Sequence, residues 1–105
     1  MSVVEINTLE EFHDLISQGK PTIVDFYATW CGPCKMIAPT FAELAEKHAS
    51  HYVSFCRVDI DKGEGEDIAT EIGVRGVPMF VAFQNEERLG DVVGANQSAL
   101  EVMNA

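Results

Sequence analysis

Basic residues are scarce in this chain. Seven Lys and Arg stand against 17 Asp and Glu, a formal net charge of −10. Nucleic acid and anionic membrane would both repel such a surface, so neither is expected as a partner. No apolar run approaches the roughly 18 residues of a membrane-spanning helix. The start of the chain, Met1-Ser2-Val3-Val4-Glu5, has neither a basic region nor a long apolar stretch, and no secretory leader is expected. Cysteine is sparse as well: three residues, an odd number, do not make the disulfide framework of a small secreted domain. A reducing, cytoplasmic setting follows as the expected location. Internal repeats and low-complexity stretches are also missing. The 105 residues, 47% hydrophobic and 23% charged, are expected to form one domain over 1–105 around a single core.

What the chain does have is concentrated in Trp30-Cys31-Gly32-Pro33-Cys34-Lys35. Upstream, Thr22 to Tyr27 is a short apolar run rich in β-branched and aromatic residues, which reads as a buried strand. Downstream, Ile37, Phe41, Leu44, Ala45 and His48 recur at helical spacing, so a helix begins near Cys31 to Cys34. A helix N-terminus offers unpaired N–H groups and a partial positive charge, and both favour a thiolate. Cysteines in that setting titrate at roughly 3.5–7.5 instead of about 8.5. A structural zinc site needs about four ligands. The only other cysteine is Cys56, and His13, His48 and His51 form no second pair. A permanent staple across so short a loop would constrain the unfolded chain little. Inert buried thiols fit poorly with Gly32-Pro33, which marks an exposed turn. A reactive dithiol is the reading that remains.

Taken in order, Val3 to Ile6 reads as an edge strand, and Thr8 with Glu11 has the spacing of a capping box opening a helix through Phe12, Leu15 and Ile16. Gly19-Lys20-Pro21 stops it. Pro39 falls inside the long helix and is expected to kink it. Val53 to Ile60 reads as a strand, Asp61 to Glu66 as a polar loop, and Ile68 to Ile72 as a short helix ending at Gly73. Met79 to Phe83 and Leu89 to Val93 make a hairpin around Gln84 to Arg88, and Asn96 to Ser98 cap a last helix to Met103. The expected fold class is α/β: a mixed sheet, its central strands parallel, with helices on both faces.

Within the motif, Cys31 lies nearer the turn and is expected to be the more exposed thiol and the attacking nucleophile. Cys34, one helical turn on, would be partly buried and would resolve the mixed disulfide. Gly32 lets a substrate backbone approach, and Pro33 fixes its own φ and lacks an N–H. Asp25, between Val24 and Phe26, is expected to be buried with a raised pKa, and it is placed to accept the proton that Cys34 loses. The competing reading makes it a structural aspartate paired with Lys35 or Arg57. Trp30 is expected to be partly exposed as an apolar substrate contact, against the alternative of core packing. Lys35 reads as a solvated cation near the thiolate, and Cys56 as a small buried residue, against the alternative of a thiol regulated by oxidation. The three histidines receive no role.

These residues together resemble the thioredoxin family. The likeness rests on Trp30 to Lys35 after a strand carrying Asp25, on Pro39 in the next helix, and on Gly76-Val77-Pro78 late in the chain. It extends from the first strand to Val93-Gly94-Ala95. The resemblance implies the thioredoxin fold, with about five strands and about four helices. It implies a cis Val77–Pro78 bond facing the disulfide, where the residues alone would favour a trans, strand-initiating proline. It makes Asp25 a proton-transfer residue with Arg57 as its charged neighbour, and it places Gly94-Ala95 at the end of a substrate groove. The implied activity is that of a monomeric protein disulfide reductase and electron carrier in cell redox homeostasis. Such a protein holds no cofactor and no metal, draws on NADPH only through thioredoxin reductase, and serves diverse disulfide-containing clients. Two other readings compete with it. A disulfide oxidase or isomerase fits less well with the Gly-Pro pair, and a scaffold with incidental redox activity would need no recycling. Tyr27 departs from the family pattern, which usually has tryptophan there, and the hairpin lacks the usual turn glycine.

Overall fold

The computed structural model describes residues 3–50 and 52–103; His51, given no role above, lies outside them. The elements run β1 (Val3–Ile6), α1 (Leu9–Ile16), β2 (Thr22–Tyr27), α2 (Gly32–His48), β3 (Ser54–Asp59), α3 (Gly65–Ile72), β4 (Met79–Gln84), β5 (Glu87–Val93) and α4 (Gln97–Met103). Five strands form one sheet in the order β1-β3-β2-β4-β5. β1, β3 and β2 run parallel, and β4 and β5 close the sheet antiparallel. This is the mixed α/β architecture that the pattern implied.

Local chemistry explains most of the boundaries. Thr8 accepts the Glu11 N–H while the Glu11 carboxylate accepts the Thr8 N–H, so the capping box closes α1 as expected. α2 is a single helix that continues through Pro39. α3 begins at Gly65, inside the stretch expected to be loop. Its first turn starts against the end of β3, where a Cβ on Gly65 would strike the Asp59 carbonyl. β5 likewise starts earlier than expected, at Glu87, because the turn is only Asn85-Glu86. Both of these residues take positive φ, 52° and 66°. That geometry matches the right-handed twist of a two-residue hairpin.

Two apolar clusters sandwich the sheet. Phe12 and Ile16 of α1 and Ile68 of α3 pack on Val24, Phe26, Cys56 and Val58 on one face. Ile37, Phe41, Leu44 and Ala45 of α2 and Leu100 of α4 pack on Ile23, Phe55 and Phe80 on the other. β2 is therefore buried on both faces, which is why Ile23, Val24 and Phe26 are apolar on either side of the single carboxylate, Asp25. The registers also set the site. Phe26 opposite Met79 brings Pro78 beside the end of β2, and Met79 opposite Val93 brings Gly94 beside Pro78.

Candidate active site

Cys31 and Cys34 are joined as a disulfide at the junction of β2 and α2. Cys31 is the N-cap of α2, and its Sγ accepts the Cys34 backbone N–H at 3.1 Å. Pro33 sits in the first turn, where a missing N–H leaves no intrahelical bond unmade. The Cys31 N–H reaches the Ala28 carbonyl at 3.2 Å. Cys31 Sγ also lies 3.7 Å from the Val77 carbonyl oxygen. One expectation needs correction. Cys31 is 4% exposed and Cys34 3%, so exposure does not separate the two sulfurs. Both are packed into a cluster with Ala28, Tyr27, Ile60 and Val77. What separates them is position: Cys31 precedes the helix, and Cys34 is inside it.

The Val77–Pro78 segment stands against this pair through Val77. The Val77–Pro78 bond is cis. The Gly94 N–H donates to the Pro78 carbonyl at 2.8 Å, which holds Gly94-Ala95 against that segment. Gly94 has φ +95°, a conformation open to glycine and strained for other residues. Gly32 and Pro33, between the two cysteines, are exposed, and so is Ala95. Trp30 is 69% exposed, which excludes the core-packing alternative, and its indole N–H donates to Asp61 Oδ2 at 2.7 Å. Lys35 is exposed, and its side chain helps line a cavity of about 210 Å³ with Tyr27, Thr29, Cys34 and Arg57.

Asp25 is 1% exposed, and its Oδ1 has no hydrogen-bond partner among the described residues. Oδ2 faces Arg57 Nε at 3.7 Å. Of the two ion-pair partners considered, Arg57 is therefore the one in place. Burial pushes the Asp25 carboxyl up to about 7, with the Arg57 guanidinium pulling against it and Glu5 adding to the rise. Cys56 is fully buried and free, and burial pushes its thiol up, so it is protonated and inert in this state. No group of three or more His, Cys, Asp or Glu among the described residues is placed to hold a metal ion. No helix among them is long and apolar enough to cross a membrane.

Two contributors were not foreseen. Asp61, read only as part of a polar loop, anchors Trp30. Glu5, read only as part of an edge strand, accepts the Tyr27 O–H at 2.8 Å and faces Arg57 Nη1 at 3.8 Å. Glu5 is a charged residue between Val4 and Ile6, but its partners lie on other strands, and nothing near it in the chain announces them.

Residues 3–104 match the family profile described as Thioredoxin. The chain is 41% identical over 96 residues to a thioredoxin of Coprinus comatus, covering 91% of this chain and 89% of that one. It is 41% identical over 100 residues to the mitochondrial thioredoxin-3 of Saccharomyces cerevisiae, covering 95% and 76%. Among solved structures, the thioredoxin of Malassezia sympodialis superposes with a TM-score of 0.91 at 39% identity, covering 97% of this chain and 89% of that one.

Proposed function

The chain belongs to the thioredoxin family, and from that premise we propose how its residues carry out disulfide reduction. It is a protein disulfide reductase with a redox-active disulfide at Cys31–Cys34. In the reduced protein, the Cys31 thiolate attacks one sulfur of a client disulfide. The client S–S bond breaks, one client thiolate leaves, and a mixed disulfide joins Cys31 to the client. Cys34 then loses its proton to Asp25 and attacks the Cys31 sulfur. The second client thiolate leaves, and the Cys31–Cys34 disulfide remains. Two electrons have passed to the client.

The observation that carries this assignment is the Cys34 N–H donated to Cys31 Sγ at the start of α2. A charge on that sulfur is stabilised by the hydrogen bond and by the helix dipole. Trp30, Gly32, Pro33, Val77, Pro78, Gly94 and Ala95 form the surface for an extended client segment. Val77 precedes the β4 ladder, so its backbone supports recognition by strand addition. The dithiol is restored by thioredoxin reductase drawing on NADPH, and the protein works in the cytoplasm as a monomer without a bound cofactor. The test is a coupled assay: insulin, NADPH and thioredoxin reductase, with and without this protein. Oxidation of NADPH that depends on the protein and leaves insulin thiols supports the reading; no dependence on the protein overturns it.

A further inference from the structure

Glu5, Arg57 and Asp25 stand in one row across β1, β3 and β2, because the parallel registers pair Glu5 with Arg57 and Arg57 with Asp25. Tyr27, two residues along β2 from Asp25, shares its face of the sheet. Arg57 Cζ lies 3.8 Å over the Tyr27 ring, and the Tyr27 O–H donates to Glu5 Oε2. The guanidinium is thus held by a ring beneath it and by two carboxylates, Glu5 at 3.8 Å and Asp25 at 3.7 Å. Those carboxylates compete for one cation, and they are not equivalent. Glu5 is exposed at the sheet edge, whereas Asp25 is buried with an unpartnered oxygen. At 3.7 Å, Arg57 Nε is beyond the roughly 2.7–2.9 Å of a charge-assisted hydrogen bond. Arg57 attracts Asp25 without locking it in the ionised form.

The other neighbours leave this arrangement in control. From α2, Cys34 and Lys35 line the cavity that Tyr27 and Arg57 also line. From β3, the buried Cys56 thiol lies in the cluster on the opposite face, and Asp59, beside Tyr27 in register, accepts the Asp61 N–H. From β4, the residue opposite Asp25 is Phe80, which carries no charge.

We infer that Glu5 is a positioning residue which, through Tyr27 and Arg57, governs how readily Asp25 takes and releases the proton exchanged during disulfide reduction. This rests on Asp25 being the proton acceptor for Cys34. With Glu5 in place, Arg57 is shared and a second negative charge stands nearby, so Asp25 keeps its proton to higher pH. Without the Glu5 charge, Arg57 serves Asp25 alone. Without Arg57, Asp25 loses the cation paired with it. Opposite substitutions must therefore move Asp25 in opposite directions.

The experiment is a ¹³C NMR titration of the Asp25 carboxyl carbon in the disulfide-bonded protein, paired with the pH–rate profile of insulin reduction under saturating reductase. Glu5→Gln should move the Asp25 midpoint to lower pH by roughly 0.5–1 unit, the size expected of one partly screened charge. Glu5→Lys should move it further the same way, and Arg57→Met should move it to higher pH. The rising limb of the rate profile should follow each shift. An Asp25 midpoint unmoved in both Glu5 variants, or moved to higher pH, overturns the inference. Asp25→Asn separates the two claims: the limb left in this variant should report Cys31 ionisation alone and stay put when Glu5→Gln is added, and a profile unchanged from that of the parent protein overturns the role of Asp25 itself, whatever the Glu5 variants do.

Discussion

The sulfur of Cys31 occupies the place of a capping oxygen, with the Cys34 backbone N–H directed at it from 3.1 Å. A serine at the same position would satisfy that N–H with a neutral acceptor. A thiol gains more, because ionisation turns the contact into a charge-assisted bond at the positive end of a 17-residue helix.

In the reduced protein, Cys31 is therefore expected to ionise before Cys34. Following thiolate absorbance near 240 nm through a pH titration, the first midpoint should fall below about 7.5, against about 8.5 for a free cysteine. The Cys34→Ser variant should retain this low midpoint and Cys31→Ser should lose it. A first midpoint at or above the free value would contradict the capping account.

Asp25 links the site to stability. Its folded pKa of about 7 exceeds the usual aspartate value, so the ionised form is penalised in the folded chain. The contribution of this group to stability is then fully present below about pH 4, is lost as pH rises towards 7, and levels off above it. Asp25→Asn removes the penalty and should stabilise the disulfide form by roughly 2–4 kcal/mol at pH 8, with little gain at pH 4. Urea unfolding at the two pH values measures this. A gain independent of pH would mean that Asp25 is not the group responsible.

How much of this was legible in the chain depends on the range of each interaction. The Thr8–Glu11 capping box, the buried run of β2 and the stop at Gly73 are each settled by chemistry within a few residues, and each stands where it was expected. The partner of Asp25 was narrowed only to Lys35 or Arg57, because choosing between them requires the β2–β3 register. Glu5 and Asp61 carried no signal at all, since their partners Tyr27, Arg57 and Trp30 are distant in the chain. The burial of Cys31 is hidden from the sequence for a different reason. A turn containing Gly32-Pro33 is exposed in its backbone, but the sulfurs fold inward against Ala28 and Val77. The early start of α3 depends on a backbone approach between Gly65 and Asp59 that no local pattern records.

The hairpin carries a removable cost. Glu86 sits at φ 66° in the second turn position, where glycine is favoured and other L-residues are strained. Its N–H donates to the Ile16 carbonyl at 2.9 Å, a bond that glycine would keep. Glu86→Gly should therefore stabilise the protein by about 0.5–1 kcal/mol, after the entropy lost on ordering glycine is counted. Thermal unfolding should show a midpoint raised by a few degrees. A lowered midpoint would mean that the Glu86 side chain contributes more than its backbone strain costs.

Trp30 presents most of its indole to solvent while Asp61 fixes its orientation, which suits it to contact a client and not to support the fold. Trp30→Ala should lower kcat/KM for insulin reduction by about tenfold, the loss expected of an exposed aromatic anchor. Reaction with a small aromatic disulfide reagent should change about twofold or less, because the thiols themselves are untouched. Equal losses with both substrates would place Trp30 in the chemistry and not in recognition.

The division of labour between the two cysteines is open to direct capture. The reduced Cys34→Ser and Cys31→Ser proteins are each mixed with a disulfide-bonded protein substrate, and covalent adducts are counted by intact-mass spectrometry. Cys34→Ser should accumulate a mixed disulfide through Cys31, because nothing remains to displace the client, while Cys31→Ser should accumulate little or none. Adducts forming chiefly through Cys34 would contradict the assignment of Cys31 as the nucleophile.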